Sequence, residues 1–168
     1  GKGSFLYSSK GKKYLDFVQG IAVNSLGHSN PNLNKVLAKQ SKNLWHVSNA
    51  FEIPEAEKLA RKLTKKTFAD KVIFQNSGLE ATEAAIKVAK RYFYSIGQPQ
   101  KNRILCIKGS FHGRSLATIF ASSAKKMIEG FGPKIDGFDN FNFGDHKSLR
   151  KAITKKTSLL YTSTSPRD

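Results

Sequence analysis

The stretch from Val72 to Phe93, VIFQNSGLEATEAAIKVAKRYF, constrains this chain more than any other. A short apolar run gives way to a tight polar turn and then to a long helical pattern. Val72, Ile73 and Phe74 are β-branched or aromatic and bounded by polar residues, which predicts a buried strand. From Ala81 onward, Ala84, Ala85, Val88, Ala89, Tyr92 and Phe93 fall at the spacing of one helix face. Asn76-Ser77-Gly78 makes the turn between them, and Ser77 with Glu80 has the S-x-x-E spacing of a capping box.

A strand that feeds straight into a helix leaves the first helical N–H groups unpaired and pointing beyond the strand end. The helix dipole favours an anion there. Gly78 lets an anion approach the backbone because it has no Cβ. One reading is a phosphate cradle made by Ser77 and the N–H groups of Gly78 and Leu79. The other is an ordinary capped helix, with Ser77 bonded to the Glu80 N–H. The two are compatible, since the cap uses the third N–H and a phosphate would use the first two.

The remaining elements alternate around this one. Phe5 to Tyr7 and Tyr14 to Val18, joined by Ser9 to Lys12, predict a β-hairpin. Asn30 before Pro31 predicts an N-cap, with Leu33, Val36 and Leu37 on one face of the helix that follows. Leu44 to Asn49 breaks the helical period. Pro54 opens a further helix, with Leu59, Ala60 and Leu63 facing inward. Gly97 ends the long helix. Ile104 to Ile107 is a second strand-length apolar run, followed by Ser110-Phe111-His112-Gly113-Arg114 and a helical run from Leu116. Phe138 to Phe143 predicts a short strand, Asp145 a cap with Leu149 and Ile153 inward, and Thr157 to Leu160 another strand. The fold class is α/β, a mostly parallel sheet with helices on both faces plus an N-terminal hairpin and helix segment. Ligands in such sheets sit beyond the carboxyl ends of the strands, where both glycine-containing turns fall.

The second turn carries three chemistries in a row. Arg114 suits a carboxylate through two parallel hydrogen bonds. The Phe111 ring suits stacking on a flat heteroaromatic ring, and His112 adds an imidazole. Each also has a plainer reading: Phe111 as core, His112 as a hydrogen-bonded turn residue, Arg114 as a surface pair. The four histidines lack metal-ligand spacing, and no G-x-S-x-G or P-loop string occurs. The net charge of +17 comes from 29 Lys and Arg against 12 Asp and Glu. These cations are scattered and mostly Lys, with no basic run or aromatic interleaving, which argues against nucleic-acid binding. No apolar run reaches the roughly 20 residues of a membrane span. The single cysteine, Cys106, excludes an internal disulfide and lies inside an apolar run, which predicts a buried strand thiol and a reducing, cytoplasmic setting.

Several longer strings resemble the class III, pyridoxal-phosphate-dependent aminotransferases, and among them the acetylornithine branch. They are YLDFVQGIAVNSLGH (Tyr14 to His28), LWHVSNAF (Leu44 to Phe51), FADKVIFQNSGLEATEAAIKVAK (Phe68 to Lys90), SFHGRSLAT (Ser110 to Thr118) and EGFGP (Glu129 to Pro133). The resemblance implies the N-terminal part of a fold-type I transferase with pyridoxal 5'-phosphate as cofactor. Residues 1–43 would contribute to the small domain and 44–160 would begin the large, cofactor-binding one. Ser77, Gly78 and Leu79 would hold the phosphate, Phe111 would stack on the pyridine ring with His112 beside it, and Arg114 would bind the substrate carboxylate. Asn49 would lie in a loop near the site. The implied reaction moves an amino group between N-acetylornithine and 2-oxoglutarate, in arginine biosynthesis, by a homodimer. Other class III enzymes and a non-catalytic phosphate-binding module are the alternatives.

The chain departs from that pattern in places. Asn30 replaces the second histidine of G-H-x-H-P, Ala50 and Glu52 alter the S-N-L-F-Y loop, and Leu79 stands where a small residue is usual, so its bulk must point away from the cofactor. The family's Schiff-base lysine has no counterpart among these residues, so no catalytic residue is assigned. Residues 161–168 do not continue the family's strand and read as a foreign tail on a gene fragment.

Overall fold

The structure, a computed structural model, describes residues 1–48 and 50–161. It divides into two compact units, Gly1–Asp70 and a second beginning at Lys71.

In the first unit, β1 (Phe5–Tyr7) pairs antiparallel with β2 (Lys13–Leu15), Phe5 opposite Leu15. The Asp16 carboxylate caps the next turn, accepting from the Val18 and Gln19 N–H groups at 3.0 and 2.9 Å and from His28 Nε2 at 2.7 Å. These bonds, led by Gln19, hold its pKa below the usual carboxylate range. The short turn α1 (Gln19–Ala22) runs left-handed, with Ile21 at φ +65°, an uncommon place for a β-branched residue. Helix α2 (Pro31–Gln40) begins as predicted: Asn30 Oδ1 accepts from the Asn32 N–H at 3.0 Å, and Pro31 occupies the first helical position. Helix α3 (Pro54–Thr64) follows.

The inward faces expected for these helices are not buried: Leu37 is 70% exposed, Leu59 48% and Leu63 37%. An apolar stripe is buried only against another layer. This unit has a two-stranded ribbon and no fully buried residue among those described.

The second unit holds the core. β3 (Arg103–Ile107) lies between β4 (Phe138–Phe141) and β5 (Thr157–Tyr161), all parallel, in the order β4-β3-β5. Alternation along β3 sends Ile104 and Cys106 to one face and Leu105 and Ile107 to the other. The first face packs on Ile86 and Ala89 of α4 (Gly78–Ser95), on Ile119 to Ala121 of α5 (Leu116–Ser122), and on Met127 and Ile128 of α6 (Lys125–Ile128). The second packs with Phe141 against Leu149 and Ala152 of α7 (His146–Ala152). Helices therefore cover both faces, as a parallel sheet requires. Ile104 and Leu105 are fully buried, each worth roughly 1.5–3 kcal/mol of transfer free energy. Cys106 is buried as expected, and burial, with Asp139 second, pushes its thiol up to about 12.

Three local expectations change. Val72 to Phe74 forms no strand among the described residues, and Ile73 is 64% exposed. A strand exists only through pairing, and this segment pairs with none of the described strands. Ile153 is the C-cap of α7 and half exposed, not an inward residue. Tyr161, read as the start of a tail, is the last residue of β5; residues 162–168 lie outside those described. No described helix is long and apolar enough to cross a membrane.

Candidate functional site

The first turn is built as its spacing predicts. Ser77 has extended backbone and caps α4, its Oγ accepting from the Glu80 N–H at 3.2 Å while its hydroxyl donates to Glu80 Oε2 at 3.0 Å. The Ala81 N–H is taken by the Ser77 carbonyl at 3.0 Å. The N–H groups of Gly78 and Leu79 find no acceptor among the described residues. Nothing lies within 4 Å of where a Gly78 Cβ would stand, so the backbone is open to an approaching group. An 18-residue helix stands behind those two donors, and its dipole favours an anion.

The second turn sits against the first. Gly113 has φ +124°, and a Cβ there would stand 2.5 Å from Leu79 Cδ1 and 3.1 Å from Thr118 Oγ1. The Leu79 side chain therefore covers Gly113, directed into the neighbouring turn as its bulk requires. A second tie joins the two helices: the Ser115 hydroxyl, which caps α5, donates to the Glu83 carboxylate of α4. Thr82 backs the first turn, donating to the Gly78 carbonyl at 2.9 Å.

Within the second turn, neighbours in sequence face opposite ways. Phe111 is 60% exposed, whereas His112 is buried. The Ser110 hydroxyl donates to the Ile107 carbonyl at 2.6 Å, so it must accept from His112 Nε2–H, also at 2.6 Å. That fixes the imidazole tautomer and leaves Nδ1 buried without a hydrogen bond among the described residues. Burial lowers the His112 pKa, which keeps the ring neutral at pH 7. Tyr161 packs edge-on to it, with ring centroids 4.9 Å apart.

Phe111 and Arg114 share a cleft of about 780 Å³ with Leu116, Lys126, Met127 and Phe131. Ser77, Gly78 and His112 do not line it. Asn49 lies outside the described residues. Sequence reasoning missed Ser115, Glu83 and Lys126. A serine cap before a short helix is a readable signal for the first, but Lys126 stands on a helix of four residues, too short for any period.

A larger cleft, about 840 Å³, lies at the other end of the sheet, lined by Arg103, Asp139 and Lys156. It is remote from both turns, and its arginine is already paired.

The family model for Aminotransferase class-III matches residues 1–162. The chain belongs to the class-III aminotransferases. Among curated class-III relatives it is 54% identical over 160 residues to an acetylornithine aminotransferase of Agrobacterium fabrum, covering 95% of this chain and 40% of that one. It is 55% identical over 158 residues to an acetylornithine aminotransferase of Brucella melitensis, covering 94% and 39%. The chain thus spans about 40% of the length of these relatives. In fold it is similar to the ornithine aminotransferase of Toxoplasma gondii, with TM-score 0.90 at 25% identity over 96% of this chain and 39% of that one. A second structure of the Toxoplasma enzyme, TM-score 0.88 at 26% identity over 96% and 39%, has pyridoxal phosphate partly occupying its active site. Pyridoxal 5'-phosphate is the cofactor of class-III aminotransferases.

Proposed function

We propose that this chain supplies the cofactor-anchoring part of an aminotransferase that moves the amino group of N-acetylornithine, or a close ω-N-acylated diamino acid, to 2-oxoglutarate in arginine biosynthesis. The full-length protein works as a cytoplasmic homodimer, with residues 1–43 in its small domain and 44–160 opening its large one. The observation that supports this is the packing of Leu79 over Gly113, which brings the turn whose two N–H groups have no acceptor among the described residues against the turn that carries Phe111 and Arg114.

The residues fit a flat, phosphorylated ring. Gly78 and Leu79 donate their N–H groups to the phosphate. Ser77 joins them once exposed Glu80 turns to solvent, which frees the hydroxyl. Phe111 covers one face of the ring, and Arg114 takes a substrate carboxylate through paired N–H donors. When bound, the cofactor supplies an electron sink for the carbon that carries the amino group. This chain's own part is to bind, orient and exclude water. His112 acts from behind, holding Phe111 outward through its bond to Ser110.

Gly78→Pro tests the anchoring directly. Proline is tolerated at a first helical position, and extended Ser77 suits the residue before it. The helix should survive while one phosphate donor is lost. In the full-length protein we expect pyridoxal phosphate affinity to fall about 10- to 100-fold, the loss of one charge-assisted hydrogen bond, with unchanged circular dichroism. Unchanged affinity would refute the cradle. A reconstituted full-length protein whose visible absorbance ignores N-acetylornithine would refute the substrate.

A further inference from the structure

The cleft beside Phe111 holds two cations and no carboxylate. Arg114 stands just before the cap of α5, and Lys126 follows that helix on α6. Neither forms an ion pair among the described residues. Both residues line the one cleft, and both side chains are long enough to converge on one small molecule there. The rest of the lining is mostly apolar: Phe111, Leu116, Met127 and Phe131.

The placement of Lys126 is built, not incidental. Ser123 ends α5 in a left-handed conformation, φ +55° and ψ +14°, uncommon for a residue with a Cβ. Met127 and Ile128 pack against the core cluster that contains Ile119 and Phe120, and Ser122 Oγ lies 3.9 Å from Met127 Sδ. Met127 packs on the core and lines the cleft together with Lys126, whereas the neighbouring Lys125 does not line it.

Resting on the function proposed above, we infer that Lys126 is a specificity-determining residue that takes the second carboxylate of a dicarboxylic substrate while Arg114 takes the first. A monocarboxylic 2-oxo acid leaves the lysine unpaired and forgoes its contribution. The residue therefore separates the dicarboxylic amino acceptor from its smaller relatives.

The test uses the full-length protein loaded with pyridoxal phosphate. Lys126→Met should raise KM for 2-oxoglutarate about 10- to 30-fold, leave kcat within about twofold and leave KM for pyruvate unchanged. Lys126→Arg should recover most of the loss, and Lys125→Met should change neither acid. Independently of turnover, calorimetry with glutarate, an unreactive dicarboxylate, should show the same weakening in Lys126→Met, while butyrate binding stays as it was. Equal losses on both acids, or equal effects of the two lysines, would overturn the inference and leave the aminotransferase reading intact. A full-length protein that shows no cofactor band would remove both.

Discussion

Arg103 opens β3 and Arg114 lies past its other end, and the sheet treats the two guanidinium groups in opposite ways. Arg103 spends Nε and Nη2 on the two oxygens of Asp139, at 2.7 and 2.8 Å, and Nη1 on Asp136 at 3.1 Å. Those bonds tie β3 to β4 and hold Arg103 protonated well beyond its ordinary range, with Asp139 the first cause. Arg114 faces a cleft without an ion pair among the described residues. The same asymmetry holds for neutral groups. At the carboxyl end two helical N–H groups have no acceptor among the described residues, and a large aromatic ring is exposed. At one end of β3 the guanidinium is satisfied by the chain itself, and past the other the guanidinium is left for a ligand.

That contrast can be broken from either side. The largest effect is expected at Gly113. Gly113→Val places a branched side chain at φ +124° against Leu79, combining backbone strain with overpacking for about 3–5 kcal/mol. Chemical denaturation should show that loss, and cofactor binding should be abolished in whatever folded protein remains. Arg103→Met acts at the closed end. Leaving Asp139 without its paired donors should cost about 1–3 kcal/mol, read as a lower denaturation midpoint, while cofactor affinity stays unchanged. A fall in affinity there would mean the two ends are coupled.

The smallest effect concerns His112. Its folded pKa lies below the ordinary 6.5, so below that pH the unfolded chain takes up a proton that the folded one resists. Stability should therefore be fully present above pH 6.5 and decline as pH falls toward the depressed folded value. In His112→Gln that part of the acid slope should vanish, which a series of melting temperatures from pH 7.5 to 5 would show.

Legibility in the sequence followed the range of the interactions. Asn30, Ser77 and Asp145 were readable as caps because a cap is decided within a few residues. β3 was readable because it is short, apolar and buried on both faces, and β4 and β5 because aromatic or aliphatic residues stand in a strand-length run. Val72 to Phe74 had the same composition, but strand formation depends on a partner elsewhere, which composition cannot reveal. The same holds for Leu37 and Leu59, whose spacing marks a face without saying what covers it. At the site, the spacing of Ser77 and Glu80 foretold which N–H groups stay free. The opposite facing of Phe111 and His112 was not foreseeable, because it depends on Ser110 and the Ile107 carbonyl beneath the turn. Lys126 lines the cleft from a four-residue helix that follows the left-handed Ser123, a conformation that composition does not announce.

The seat of Leu79 over Gly113 also limits how this pair of positions can change. Shrinking residue 79 to alanine would open space next to the glycine, yet a side chain at 113 would still meet an unfavourable φ. The exchange therefore runs one way: position 79 can vary in size as long as 113 stays bare, and no change at 79 licenses bulk at 113. Sequences that drift here are expected to explore leucine, alanine and their like at the first site while the second stays fixed.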